Sequence, residues 1–262
     1  MFRVEVEGLS IAYERVGEGP PLILLHGFLF DSRAWRPQLE ELSNEFTVIA
    51  WDAPGAGRSD DPPAGFGLRD WAECLIGFLD RTGVGPGHVV GLSWGGLLAQ
   101  ELYRLDPERV QSLVLADTYA GWRGSLGAAS AEERLAACIR DSDLSAADLV
   151  ALYLPGMHSP TASQEVRDEL AAVMSDFHPA GFRLMARSLA ESDLRDSLAD
   201  IRVPTLLLWG EADARSPVEV AHELERRIPH ARLVLIPDAG HLSNVEAAER
   251  FNTEVRSFCL PG

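Results

Sequence analysis

The 262-residue chain contains no lysine: all 23 basic residues are arginine, against 40 acidic ones, for a formal net charge of −17. Without an ε-amine there is no Schiff base, so pyridoxal chemistry and lyases with an amine nucleophile are excluded. A phosphate-cradling loop would lack the lysine that reaches the β- and γ-phosphates. A Ser–Lys dyad cannot form either. The shortage of positive charge argues against a nucleic-acid partner, which needs a basic field, and against docking on an anionic membrane surface. Cysteine is nearly absent. Cys74, Cys138 and Cys259 are far apart and form no C-x-x-C pair. They read as reduced thiols in a cytoplasmic protein, not as a disulfide framework or zinc finger. No apolar run is long enough to span a bilayer. The first residues, MFRVEVEGLS, have no basic stretch followed by an apolar one, so no secretory signal is expected.

What is present is globular in composition. Hydrophobic residues make up 46% of the chain, an ordinary share for a folded domain. Residues 3–7 and 10–16 alternate polar and apolar side chains, which predicts an antiparallel hairpin. PPLILLH (20–26) is instead continuously apolar, the pattern of a strand buried on both faces. The same pattern returns in TVIAW (47–51), HVVGL (88–92), SLVLA (112–116), TLLLW (205–209) and LVLI (233–236). Helical periodicity covers 35–42, 68–81, 94–105, 217–228 and 244–259. Strand and helix in alternation predict an α/β fold: a mostly parallel central sheet with helices on both faces.

One interval breaks the rhythm. From about residue 121 to 200 there is no strand-like run, only helical segments over 131–140, 145–154, 163–177 and 179–191. We expect a helical cap, or lid, at 121–196, inserted into a core formed by 1–120 and 197–262. The interval carries acidic and basic residues in the same mixture as the rest, so it is not a charged tether.

Three strand ends carry candidate chemistry. Gly91-Leu92-Ser93-Trp94-Gly95 is a G-x-S-x-G placed directly after a buried-type strand and opening a helix. That strand–turn–helix setting is the one in which a serine is presented as a nucleophile, and the helix N-terminus favours its alkoxide. A capping serine in a glycine-rich turn would show the same five letters. A serine nucleophile needs a base, and the base an orienting acid. His241, in Asp238-Ala239-Gly240-His241, follows the strand LVLI; Asp213, in Gly210-Glu211-Ala212-Asp213, follows TLLLW. Both sit at carboxyl ends of strands, where α/β sheets place their sites. Phe28, in His26-Gly27-Phe28 after PLILL, and Trp94, after the serine, are candidates to donate backbone N–H groups to an oxyanion. His26 reads as a structural brace of that loop. No His/Cys/Asp/Glu cluster has metal-ligand spacing, so no metal and no organic cofactor are expected.

Taken together, HGF (26–28), WDAPGAGRSD (51–60), GLSWGG (91–96), GEAD (210–213) and AGH (239–241) resemble the α/β-hydrolase family in the family's order over nearly the whole chain. The resemblance implies the α/β-hydrolase fold and a Ser93–His241–Asp213 triad. In that family Asp52, Gly55, Gly57 and Ser59 form a structural turn. Some relatives carry the acid one strand earlier, where this chain has Asp117, the second candidate orienter. A serine in place of an aspartate disfavours dehalogenases and epoxide hydrolases. The HGGG and HGGPG loops of other branches are absent.

What remains is similar to carboxylesterases and enol-lactonases, with C–C bond hydrolases of diketones, haloperoxidase-like perhydrolases and a non-catalytic ligand-binding protein of the same fold as alternatives. The expected activity is hydrolysis of a small or medium ester or lactone through an acyl-enzyme, with a small-molecule substrate as partner. Tyr119 and Trp122 fall where core gives way to cap and are candidate pocket residues. His158, His178 and Met157 lie in the cap with no pattern that assigns them. Arg33 and Arg123 could supply a cation. The −17 charge favours neutral substrates, since an anionic one would need a local arginine.

Overall fold

The computed structural model describes residues 1–260. Eight strands form one sheet: β1 (Phe2–Val6), β2 (Leu9–Val16), β3 (Pro21–Leu25), β4 (Thr47–Trp51), β5 (Gly87–Leu92), β6 (Val110–Ala116), β7 (Thr205–Gly210) and β8 (Arg232–Ile236). Their order is β1-β2-β4-β3-β5-β6-β7-β8. β1 pairs antiparallel with β2, and β2 antiparallel with β4. Every other pairing is parallel. The hydropathy of most strands matches their place; β8, read as buried on both faces, is instead an edge strand with mostly half-buried residues, because β7 pairs with only one of its sides. β7, flanked by β6 and β8, is buried throughout, whereas the edge strand β1 is mostly exposed.

The core helices are α1 (Arg36–Glu41), α2 (Leu68–Arg81), α3 (Trp94–Leu105), α9 (Val218–Arg227), α10 (Ser243–Glu246) and α11 (Ala248–Cys259). The helix expected over 244–259 is thus broken at Ala247, whose backbone (φ −125°, ψ 46°) leaves the helical region. α2 and α3 pack on each other, and α1 packs on α11. A buried amide network holds the second pair. Gln38 Nε2 donates to Asn252 Oδ1 at 2.8 Å and to the Asn244 carbonyl at 2.9 Å, while Asn244 Nδ2 donates to the Ala34 carbonyl at 2.8 Å. Asn244 lies three residues beyond His241, so this network fixes the loop that carries the histidine. The three cysteines are free and buried, and burial pushes the Cys74 and Cys259 thiols up to about 12. No helix among the described residues is long and apolar enough to cross a membrane.

Between β6 and β7 the chain makes five helices: α4 (Trp122–Leu126), α5 (Ala128–Asp141), α6 (Ala146–Tyr153), α7 (Gln164–Met174) and α8 (Pro179–Glu191). Ser145 and Ser163 cap α6 and α7 by accepting the N–H groups of Asp148 and Val166. α4 is a single turn and a half, too short for periodicity to reveal. α8 docks the insertion on the core. Its Gly181 meets Gly55 of the loop after β4 so closely that a Cβ there would lie 1.9 Å from the Gly55 carbonyl oxygen. One residue on, Phe182 stacks on Phe28 with ring centroids 4.6 Å apart.

This contact yields a prediction. Gly181→Ala should overpack the junction at a cost of about 1–3 kcal/mol, lowering Tm by several degrees for a domain of this size. Gly85→Ala, where a Cβ meets open space, should leave Tm unchanged in the same differential scanning measurement. Equal melting of the two variants would show that the backbone contact does not hold the helices in place.

Candidate active site

Ser93 joins β5 to α3 with a left-handed backbone, φ 53° and ψ −115°. Such a turn requires its flanks to be nearly bare. A Cβ on Gly95 would stand 2.0 Å from the Leu25 carbonyl oxygen, so only glycine lets α3 start against β3. Neighbouring strands hold the turn: the Ser93 N–H donates to the Ala116 carbonyl at 2.9 Å, and the Thr118 hydroxyl donates to the Ser93 carbonyl at 2.5 Å.

His241 and Asp213 arrive from the ends of β8 and β7. His241 Nε2 lies 2.9 Å from Ser93 Oγ, and Nδ1 lies 2.8 Å from Asp213 Oδ2. A carboxylate can only accept, so Nδ1 carries the proton and donates it to Asp213. In the neutral ring Nε2 is then the acceptor for the Ser93 hydroxyl. Asp213 is held in turn by its other oxygen, which accepts the N–H groups of Arg215 at 2.7 Å and Ser216 at 2.9 Å. All three side chains are buried. A line of this kind can strip a proton from the serine and stabilise the imidazolium that results.

Asp117, the other candidate acid, does not touch His241. It lies wholly buried at the end of β6. Its Oδ1 accepts the Gly210 N–H at 2.7 Å and its Oδ2 accepts the Ser243 hydroxyl at 2.5 Å. Gly210 begins the loop of Asp213, and Ser243 ends the loop of His241, so one carboxyl ties both loops to β6. Thr118 and Ser216 complete the brace, Ser216 Oγ donating to the Thr118 carbonyl at 2.7 Å. Burial, then the nearby charge of Asp213, pushes the Asp117 carboxyl well above the usual carboxylate range. On the far side Glu246 accepts the Gly240 N–H at 2.9 Å and the Ser159 N–H at 2.9 Å, fastening the histidine loop to the inserted helices. Thr118, Ser216, Ser243 and Glu246 escape sequence reasoning. They are small or surface-type residues in no motif, and only their partners across the fold mark them.

The turn of His26, Gly27 and Phe28 lies against the serine: a Cβ built on Gly27 would be 3.4 Å from Ser93 Cβ. Neither the Phe28 nor the Trp94 N–H donates to a protein acceptor among the described residues. Trp94 is the first residue of α3, where an N–H has no intrahelical partner; its indole donates to Ser188 Oγ of α8 at 3.0 Å. His26 is a brace. Nδ1–H donates to the Gly27 carbonyl at 2.9 Å and Nε2 accepts the Ala53 N–H at 3.0 Å, with burial lowering its pKa. Asp52 likewise serves the turn after β4, accepting the N–H groups of Ser32 and Arg58 at 2.9 Å each.

Tyr119 and Trp122 are both buried beside this centre. The Tyr119 hydroxyl donates to the Arg215 carbonyl, and the Trp122 ring meets Phe28 edge-on at 6.3 Å. The two arginines singled out in the sequence are occupied: Arg33 pairs with Asp31 at 2.6 Å and Asp176 at 2.8 Å, and Arg123 approaches Glu132 at 3.8 Å. His178 bonds Asp61 and the Gly57 carbonyl, and His158 the Ser159 carbonyl. The Met157 carbonyl accepts the Leu242 N–H at 3.0 Å, beside His241. Among the described residues no group of three or more His, Cys, Asp or Glu side chains is placed to hold a metal ion.

The Asp117 carboxyl supplies a pH prediction. With its folded pKa raised above that of the unfolded chain, the native state keeps a proton that the unfolded state releases. Stability therefore falls as pH climbs from the usual carboxylate range, near ~4, through the folded pKa. Asp117→Asn lacks that group and escapes the loss. Urea midpoints should show the variant gaining on wild type as pH rises above the usual carboxylate range, with Asp213 and Glu246 common to both. Parallel curves would mean that Asp117 titrates like a solvent-exposed carboxyl.

Residues 20–248 match the model of a family described as alpha/beta hydrolase fold. A pimeloyl-[acyl-carrier protein] methyl ester esterase from Aliivibrio salmonicida is 30% identical, over 96% of this chain and 97% of its own length. A solved thermophilic esterase from Thermogutta terrifontis, with malate bound, is 31% identical and superposes with a TM-score of 0.91 over 98% of this chain and 97% of that one. The enol-lactonase from Burkholderia xenovorans LB400 shares the fold at 24% identity and a TM-score of 0.88, over 98% of each chain. Matched along almost its whole length in both sequence and architecture, this chain belongs to the alpha/beta hydrolase fold family and is a hydrolase.

Proposed function

We propose that the chain hydrolyses a carboxylic ester or lactone of small to medium size through an acyl-enzyme on Ser93. The observation that carries this reading is the unbroken hydrogen-bonded line from Ser93 Oγ through His241 to Asp213. The names of the relatives, two esterases and an enol-lactonase, support the same class of bond.

The reaction follows from the donors and acceptors. His241 Nε2 takes the Ser93 proton as Oγ bonds to the acyl carbon, and the carbonyl π pair moves onto oxygen. The Phe28 and Trp94 N–H groups bind that oxyanion. When the carbonyl re-forms, the C–O bond to the leaving alcohol breaks and the alkoxide takes its proton from His241. Water then gives a proton to His241 and attacks the acyl carbon. Ser93 Oγ departs with that proton, and the carboxylic acid is released. Asp213 keeps the imidazole in the tautomer this sequence needs. In this reading the helices of 121–196 act as a cap, and Tyr119 and Trp122 line the space above the serine. No step calls for a metal or organic cofactor. The substrate is a small molecule, and the chain works in the cytoplasm.

Two results are expected from a short-chain p-nitrophenyl ester series. Ser93→Ala should abolish turnover above background, and Asp213→Asn should lower kcat by about 10³–10⁴. Asp117→Asn should cost less than about tenfold, because it braces loops and touches no reacting group. A wild type no faster than Ser93→Ala would refute the proposal; a larger loss at Asp117 than at Asp213 would exchange their roles.

A further inference from the structure

Phe28 and Trp94 belong to different segments, the turn after β3 and the start of α3, yet their side chains meet the same inserted helix. The Phe28 ring stacks on Phe182 of α8, with centroids 4.6 Å apart. The Trp94 indole N–H donates to Ser188 Oγ of α8 at 3.0 Å. On the core side the Trp94 ring lies 6.0 Å from that of His26, whose Nδ1–H donates to the Gly27 carbonyl. These contacts close a circuit. It runs from Trp94 to His26, along the turn to Phe28, across to Phe182, down α8 to Ser188 and back to Trp94.

α8 is a fixed reference for that circuit. At its start His178 bonds Asp61 at 2.6 Å and the Gly57 carbonyl at 3.0 Å, and Gly181 abuts the Gly55 backbone. At its end the Ser192 carbonyl oxygen is so near Gly121 that a Cβ there would stand 2.0 Å away. Trp94 is wholly buried, its ring edge-on to Trp71 at 5.2 Å. Ser188 is buried as well. Its hydroxyl gives its own proton to the Met185 carbonyl at 2.8 Å, which leaves a lone pair on Oγ for the indole. Alanine at 188 would strand a buried N–H, a cost that the indole can relieve only by moving.

We propose that Phe182 and Ser188 are positioning residues for the oxyanion site: they hold the side chains of Phe28 and Trp94 so that the two backbone N–H groups converge on one oxygen. This rests on the hydrolase reading above, which gives those N–H groups that task. Two donors serve one developing charge only if their spacing is set before the reaction. The strands end at Leu25 and Leu92, just short of both donors. Beyond that point the side chains are the handles, and α8 holds both. The inserted helices thereby act on turnover without touching the reacting atoms.

The test is kinetic, on p-nitrophenyl acetate. Ser188→Ala should lower kcat by about tenfold, less than the roughly 10²–10³ lost when an oxyanion donor is removed outright, with KM within about twofold of wild type. Ser188→Thr keeps the hydroxyl and should keep kcat. Trp94→Phe removes the other end of the bond and should cost as much as Ser188→Ala; the double variant should cost no more than either alone. Two ketones separate positioning from general loosening. The Ki of a trifluoromethyl ketone, whose adduct with Ser93 puts an oxyanion in the site, should rise by the factor by which kcat/KM falls, whereas the Ki of the parent methyl ketone should not move. Phe182→Leu, acting on the other donor, should raise the first Ki by a similar factor. Tyr103→Phe deletes the hydroxyl that accepts the Arg202 N–H at the far end of α3 and should leave kcat and both Ki values alone. Unchanged kcat in Ser188→Ala or, should that variant not fold, in Trp94→Phe overturns the positioning claim while the hydrolase reading stands, as does equal weakening of both ketones. A wild type that turns over no ester fails the hydrolase reading, and this claim with it.

Discussion

Ser93 adopts a left-handed backbone that a residue with a side chain takes only at a cost of order 1–3 kcal/mol. Much else in the molecule serves to hold it there. The carbonyls of β3 crowd the start of α3 so closely that only glycine fits at position 95. β6 supplies a carbonyl acceptor for the Ser93 N–H and, through Thr118, a donor for its carbonyl. The same strain lifts Oγ out of the sheet toward the ends of β7 and β8. A relaxed turn would leave His241 with no hydroxyl to meet.

The second requirement is that three separate loops keep their places without covalent ties. Asp117 ties two of them together from a buried position at the end of β6, accepting from one loop with each oxygen. Low dielectric strengthens both bonds and raises the penalty for losing either. The amides of Gln38, Asn244 and Asn252 fix the histidine loop from the helical side, and Glu246 fixes it to the insertion. Polar groups thus replace packing where loops, which bury little apolar surface, must be exact to a few tenths of an ångström.

Much of this was legible in the chain. Continuous apolar runs identify strands buried on both faces because parallel strands have no solvent side. Ser93, Asp213 and His241 could be named since each follows such a run, and the structure places them within hydrogen-bonding distance. The choice between Asp213 and Asp117 could not be made by position, as both end a strand. It depends on which oxygen reaches Nδ1, and the three-dimensional course of the β7 loop decides that. α4 stayed hidden because five residues show no period. Arg33 and Arg123 were named as cations, and the fold pairs the first with Asp31 and, 143 residues away, Asp176, and brings Glu132 to 3.8 Å from the second.

By itself the sequence determined the alternation of strand and helix, the glycine-flanked serine and the absence of any amine chemistry. These depend on local propensity, periodicity and residue type, which a linear pattern carries. Tertiary structure alone decided which polar residues brace the loops and which arginines find carboxylate partners. Those outcomes depend on partners far apart in sequence, such as Gln38 and Asn252, separated by 214 residues. Only packing of the sheet and inserted helices brings such groups within the few ångströms over which a hydrogen bond or ion pair acts.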